Sequence, residues 1–271
     1  MKKIVYLYSG EGTKSGESKS VLLKQSTYWT EIDTILRSKL GLNLEEIWKN
    51  EIDRHRCPHS PLLTVVSQIC LSDIWRQWGY QPDVVIGHSI GELTAAFQAG
   101  LYSLEDILLL TYQIGEVAAN LDGVMLHGKL SDQQIDQLSV HLSSLNFVDD
   151  TKKHVTLSGY PDEMTNFMNK NSDFIKMRLP HPWHHPHYSK YIDNISIIKS
   201  NKISDVKFVS GVTTDFENQL EDAHWRYWLT STIDFIRSMH TIKEEFNQYQ
   251  LELIEIGFHP VLDKCCQFFD N

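Results

Sequence analysis

Cysteine is scarce, with four in 271 residues: Cys57, Cys70, Cys265 and Cys266. No pair has C-x-x-C spacing, and adjacent Cys265 and Cys266 suit neither a zinc site nor an ordinary disulfide. That excludes a disulfide scaffold and predicts reduced thiols in a cytoplasmic protein. No apolar run approaches the about 18 residues that a membrane span needs. The opening Met-Lys-Lys-Ile-Val-Tyr-Leu-Tyr-Ser-Gly has only a short apolar run, so it reads as a buried strand ending in a glycine turn rather than a leader. Positive charge is also short: Lys and Arg number 25 against 35 Asp and Glu, a net charge of -10. No basic cluster is interleaved with aromatics, which argues against a general nucleic-acid binder. The acidity reads as a solubility feature. There is no H-E-x-x-H helix, internal repeat or low-complexity tract.

The composition, 41% hydrophobic and 22% charged, is that of a globular chain with one sizeable core and room for a small second domain. Ile4 to Tyr8 reads as a strand, and Ser9 to Gly16 as a loop. Helical periodicity runs through residues 23–50, and Pro61 to Trp78 is a strong helix. Val84-Val85-Ile86 is a second strand. Ser103-Leu104-Glu105-Asp106 opens a further helix, the serine serving as its cap. This alternation indicates α/β architecture, a parallel sheet with helices on its faces.

The character changes near Gly123. Val124 to Gly128 reads as a strand, Ser131 to Leu145 as an amphipathic helix, His154 to Gly159 as a strand, Pro161 to Asn169 as a helix and Phe174 to Leu179 as a last strand. This run predicts a small sandwich-type subdomain. The main pattern then resumes, with a strand over Val206 to Val212, a helix over Trp225 to Phe246 and a strand over Leu251 to Ile256.

Gly87-His88-Ser89-Ile90-Gly91 follows the second strand and precedes a helix-like stretch from Glu92. A Gly-x-Ser-x-Gly between strand and helix is the signature of a nucleophile elbow. Its glycines let the backbone pass close to itself and lift the serine to a helix N-terminus, where N–H groups and the dipole can stabilise an oxyanion. The alternative is a tight turn whose serine caps the helix. His88, beside the serine at a sharp turn, orients the elbow rather than acting as its base. A nucleophilic serine needs a base, usually histidine. Among 13 histidines, His181, His184, His185 and His187 stand out by density. A base facing Ser89, a metal site and a solvated polar loop are three readings of this tract. Pro182 and Pro186 break helical ligand spacing and weigh against metal.

Several stretches together resemble the acyltransferases of fatty-acid and polyketide synthesis, of the malonyl-CoA:acyl-carrier-protein transacylase type. They are Pro61 through Asp83, Gly87-His-Ser-Ile-Gly-Glu92 and Ala99-Gly-Leu-Tyr-Ser-Leu-Glu-Asp106. Gly10-Glu11-Gly12 is similar to the family's Gly-Gln-Gly loop, and Pro182-Trp-His-His-Pro-His-Tyr188 to its Ala-Phe-His-Ser-Pro segment. Phe208 to Thr214, Tyr227-Trp228 and Ile254 to Leu262 resemble its C-terminal landmarks. The resemblance covers nearly the whole chain and suggests a free-standing, trans-acting member.

That resemblance implies an α/β-hydrolase-like large domain, residues 1–122 and 190–271, with a ferredoxin-like subdomain, 123–189, inserted. It implies that His184 takes the proton of Ser89, that Ser89 carries the acyl group, and that the N–H groups of Glu11 and Ile90 form the oxyanion hole. Gly10, His88 and Ile114 fall at substrate-binding positions. No bound cofactor or metal is implied. The substrate is acyl-CoA or acyl-phosphopantetheine, the partner an acyl carrier protein, and the chain a monomer.

The chain also departs from the family. Malonyl-transferring members hold the free carboxylate with an arginine just before a glycine, and here Ile114 precedes Gly115. The acyl group is therefore expected to be neutral rather than malonyl or methylmalonyl, unless Arg178 or a lysine substitutes. Glu11 replaces glutamine, Ser60 stands where glutamine often precedes Pro61, and Phe258 replaces a proline. Carrier-protein thioester hydrolysis, with water as acceptor, is the alternative function.

Overall fold

A computed structural model describes residues 1–11, 20–50, 52–201, 204–262 and 264. Gly12, Cys265 and Cys266 lie outside the described residues.

The chain runs through β1 (Lys2–Tyr8), α1 (Ser20–Leu23), α2 (Tyr28–Ile35), α3 (Leu44–Lys49), α4 (His59–Gln77), β2 (Val84–Gly87), α5 (Gly91–Gln98) and α6 (Leu104–Ala118). It continues with β3 (Val124–Leu130), α7 (Asp132–Asp136), β4 (His141–Asp149), β5 (Lys152–Gly159), α8 (Pro161–Lys170) and β6 (Ile175–Lys176). It ends with β7 (Lys207–Val209), β8 (Phe216–Glu217), α9 (His224–Thr230), β9 (Ile233–Asp234), α10 (Phe235–Glu245) and β10 (Gln250–Ile256).

The larger sheet has the order β10-β1-β2-β7-β8. The first four strands are mutually parallel and β8 closes one edge antiparallel. Parallel strands covered on both faces should be apolar at every position, and β1 obeys from Ile4 to Tyr8. Tyr6 and Tyr8 enter a core with α4, α5 and α6, while Val5 and Leu7 enter another with Phe235, Met239 and Ile242 of α10.

The smaller sheet has the order β6-β3-β5-β4-β9, antiparallel except where β9 joins β4 in parallel. Its β3-α7-β4-β5-α8-β6 succession is the ferredoxin-like split βαβ. Val124, Leu126, Val155, Leu157, Met164 and Phe174 form its core.

Four expected elements come out differently. The helix expected over Ser131 to Leu145 is one short turn, α7, with Ser131 and Gln134 forming a capping box; a strand, β4, follows. β4 carries register shifts between Leu142 and Ser144 and between Leu145 and Phe147. Each irregularity lengthens the spacing of inward residues beyond two, which imitates helical periodicity. The helix expected over Trp225 to Phe246 is split in two. Ile233 and Asp234 pair with Ser144 and Leu145, and the Asp234 carboxylate caps α10 by accepting from the Arg237 N–H at 2.9 Å. The strands expected over Val206 to Val212 and Phe174 to Leu179 shrink to β7 and β6.

Candidate active site

Ser89 sits at the turn from β2 into α5 with φ 53°, a left-handed conformation that serine rarely adopts. The close approach forcing this turn is visible at two glycines. A Cβ on Gly87 would lie 2.1 Å from the Glu92 nitrogen, and one on Gly91 would lie 2.3 Å from the Tyr8 carbonyl oxygen. Only glycine fits between β1, β2 and α5, so the expected elbow forms.

His184 lies in the irregular segment after the small sheet, and it too has positive φ, 55°. Its Nε2 is 2.7 Å from the Ser89 Oγ. Its Nδ1 is 3.0 Å from the Trp228 carbonyl oxygen of α9. A carbonyl can only accept, so Nδ1 holds the proton and Nε2 accepts from the serine hydroxyl. The His184 carbonyl in turn accepts from His141 Nε2 at 2.6 Å, and the Trp183 carbonyl from the Ser143 hydroxyl at 2.9 Å. His141 and Ser143 belong to β4, so the small sheet holds the histidine from behind.

Burial lowers the His184 pKa to about 3, although its bond to the Trp228 carbonyl raises it, and His88 and His141 lower it further. His184 is therefore neutral, the form able to take a proton. Holding two residues in strained backbone at a cost of about 1–3 kcal/mol each, so that their side chains meet, is a pattern found at functional sites.

The N–H groups of Gly91, Glu92 and Leu93 bond back to the carbonyls of His88, Ser89 and Ile90. Those of Ile90 and Glu11 make no hydrogen bond among the described residues. A Cβ on Gly10 would lie 3.3 Å from the Ser89 Cβ and 3.2 Å from the His88 Nδ1, which sets the Gly10-Glu11 loop against the elbow. His88 donates from Nε2 to the Asn146 Oδ1 at 2.8 Å, and Asn146 donates to the Thr156 hydroxyl at 3.0 Å. Its ring thus ties the elbow to the small sheet.

Ile114 is fully buried in the larger core and touches no solvent-accessible space. Gln113 accepts from the Ser196 N–H at 3.1 Å. Apart from burial, Glu11 is influenced by Ser60 and Trp183, and His184 by Trp228, His88 and His141; among the described residues no lysine or arginine acts on either.

Glu92 and His224 carry no expected role, yet they bind the site together. The fully buried Glu92 carboxylate accepts from the Ser210 hydroxyl at 2.7 Å, the Gly211 N–H at 3.1 Å and His224 Nε2 at 3.3 Å. It locks the helix behind Ser89 to α9, which supplies the Trp228 carbonyl. A glutamate inside a continuous apolar stretch was the available signal for it. Among the described residues, no group of three His, Cys, Asp or Glu side chains is placed to hold a metal ion. No helix among them is long and apolar enough to cross a membrane.

The model of the acyl transferase domain matches residues 5–267, and the chain belongs to that family of acyltransferases. A reducing polyketide synthase of Cochliobolus heterostrophus is 30% identical over 225 residues, 74% of this chain and 9% of that protein. A highly reducing polyketide synthase of Emericella nidulans is 26% identical over 297 residues, 96% of this chain and 12% of that protein. The chain thus spans about a tenth of these curated relatives. Among solved structures, the acyltransferase domain from the second module of the salinomycin polyketide synthase aligns with TM-score 0.83 at 19% identity, covering 98% of this chain and 66% of that one. The malonyl CoA-acyl carrier protein transacylase of Burkholderia pseudomallei aligns with TM-score 0.79 at 15% identity, covering 98% and 97%. The architecture, an α/β-hydrolase-like unit with a ferredoxin-like one, is theirs.

Proposed function

We propose that this chain moves a neutral acyl group from a CoA or carrier-protein thioester, through an ester on Ser89, to the phosphopantetheine thiol of an acyl carrier protein. The observation that carries this reading is the 2.7 Å contact between the Ser89 Oγ and the unprotonated Nε2 of neutral His184.

In the first half-reaction Ser89 gives its proton to His184 Nε2 as Oγ attacks the thioester carbonyl. Negative charge gathers on the carbonyl oxygen, toward which the N–H groups of Ile90 and Glu11 are available as donors. The buried imidazolium formed at that moment has no carboxylate partner among the described residues. Its counter-charge is the oxyanion itself, which favours the tetrahedral intermediate over an idle ion pair. The C–S bond breaks, sulfur takes the proton from Nε2, and the acyl-serine is left. In the second half-reaction the carrier thiol gives its proton to Nε2 and attacks, the C–O bond to Ser89 breaks, and Oγ takes the proton back. The Trp228 carbonyl keeps the imidazole in one tautomer throughout.

The neutral acyl group is supported by Ile114, which has no charge to offer a malonyl carboxylate. Leaving such a carboxylate buried without a partner costs several kcal/mol.

The test is intact-mass measurement with butyryl- and malonyl-CoA, with and without a holo carrier protein. Expected is a butyryl adduct on Ser89 that moves to the carrier. Rapid release of free acid without a carrier would identify a hydrolase. Equal acylation by malonyl-CoA would remove the inference from Ile114.

A further inference from the structure

The two N–H donors available to an oxyanion on Ser89 come from separate segments, Ile90 from the elbow and Glu11 from the loop after β1. Such donors work only when both lie about 2.7–3.1 Å from the developing charge, so the spacing between the two segments has to be held. The Gln68 side chain of α4 bonds to both. Its Nε2 donates to the Ser9 carbonyl at 2.6 Å, and its Oε1 accepts from the Thr94 hydroxyl at 2.7 Å. A carbonyl can only accept, which fixes the end of the amide that faces Ser9. The Ser9 carbonyl lies one peptide before the one that carries the Glu11 N–H. Thr94 lies four residues after Ile90, one turn along α5.

A second tie runs beside the first. The Tyr8 hydroxyl is 3.0 Å from the Ser72 Oγ, and Ser72 donates to the Gln68 carbonyl at 2.7 Å. A Cβ on Gly91 would lie 2.8 Å from the Ser9 carbonyl oxygen, so Ser9 packs directly on the start of α5. Tyr8, Ser9, Gln68, Ser72 and Thr94 are all buried, among the apolar Val65, Val66 and Ile69 of α4. An apolar residue at position 68 would avoid the cost of taking an amide out of water. A buried amide bonded at both ends instead fixes the position of whatever it bonds. We propose that Gln68, oriented by Thr94, is a positioning residue that sets the spacing of the Glu11 and Ile90 N–H groups.

This role rests on the acyl-serine reading above. Its test is single-turnover acylation of Ser89 by butyryl-CoA, followed by intact mass, in Gln68→Met, Thr94→Val and Thr94→Ser. Rate constants, rather than adduct yield, leave out any protein that fails to fold. Gln68→Met should lower the saturating rate by about tenfold, less than the about 10²–10³ for deleting an oxyanion donor outright. The half-saturating butyryl-CoA concentration should stay the same, because the donors act on the transition state. A trifluoromethyl ketone carried on pantetheine, which adds to Ser89 as a tetrahedral oxyanion, should bind more weakly by the same factor. Thr94→Val should lose several-fold, and Thr94→Ser, which keeps the hydroxyl, should recover most of that loss; this pair decides if Gln68→Met does not fold. A Gln68→Met rate equal to that of the unmodified protein, a loss confined to the half-saturating concentration, unchanged ketone affinity, or equal rates in Thr94→Val and Thr94→Ser would overturn the proposal while leaving the acyl-serine intact. No adduct on Ser89 of the unmodified protein would overturn both.

Discussion

Ser89 and His184 meet at 2.7 Å, yet they are held by opposite means. Ser89 is positioned locally: strand, turn and helix lie within a few residues, and two glycines make the turn tight. His184 is positioned from a distance. Its tautomer depends on α9, its backbone carbonyl on His141 of β4, and its neighbour Trp183 on Ser143 of β4. Ser89 belongs to the larger sheet, whereas His184 hangs between the two sheets. Local geometry tolerates change elsewhere in the chain; geometry assembled from three elements does not.

The sharpest contrast should come within the histidine tract. His184→Ala should slow acylation by about 10²–10⁴-fold, the usual worth of a positioned base. His185→Ala and His187→Ala should change it little, as read from adduct formation over time. If His185→Ala were the damaging change, the assignment would move along the tract.

A smaller effect should follow from loosening the remote supports. Ser143→Ala and His141→Ala each remove one hydrogen bond behind His184, worth about 1 kcal/mol. Acylation should fall several-fold in each variant, while the Ser89 turn stays intact. Rates equal to the unmodified protein would show that the histidine does not need the small sheet.

Strain gives a third distinction. Ser89→Gly removes the nucleophile together with the cost of a non-glycine residue at φ 53°. Acylation should vanish while stability rises by about 1 kcal/mol, or about 2 °C in Tm. A lower Tm would mean that the elbow is not strained.

Acid should act through the base and its histidine neighbours. Burial holds His88, His141, His184 and His185 below the ordinary 6.5, His184 to about 3 and His185 to about 4. The unfolded chain takes up protons that the folded chain refuses. Stability is therefore complete above pH 6.5 and declines as pH falls through the interval toward 4. Thermal unfolding at pH 7.5, 6 and 4.5 should show Tm dropping in that order. Acylation itself should show no loss near pH 6.5.

The same contrast explains what could be read in advance. The elbow was legible because a glycine two residues to either side of a serine, after an apolar strand, constrains backbone on its own. His184 was distinguishable among its neighbours only through the family resemblance, since density of histidine does not say which one turns inward. Its partner could not be read at all, because any residue at position 228 carries a carbonyl. The Glu92–His224 pair was hidden for a related reason: its two members meet only once α5 and α9 are packed. In the fold, β1 and β2 follow from their apolar runs, and β10 from apolar residues broken only by Glu252 and Glu255. β4 was misread because two register shifts interrupt the strict alternation that marks a strand. β9 was missed because two residues in a sheet leave no pattern.

The central claim is that Ser89 becomes acylated with neutral His184 as its base. Its most direct measurement is the rate of acyl adduct formation on Ser89, located by peptide mass, in the unmodified protein and in His184→Ala between pH 5 and 8. Expected is an adduct on Ser89 alone, a rate without a titration near 6.5, and near-complete loss of that rate in His184→Ala. An adduct at another residue, or a His184→Ala rate equal to that of the unmodified protein, would contradict it.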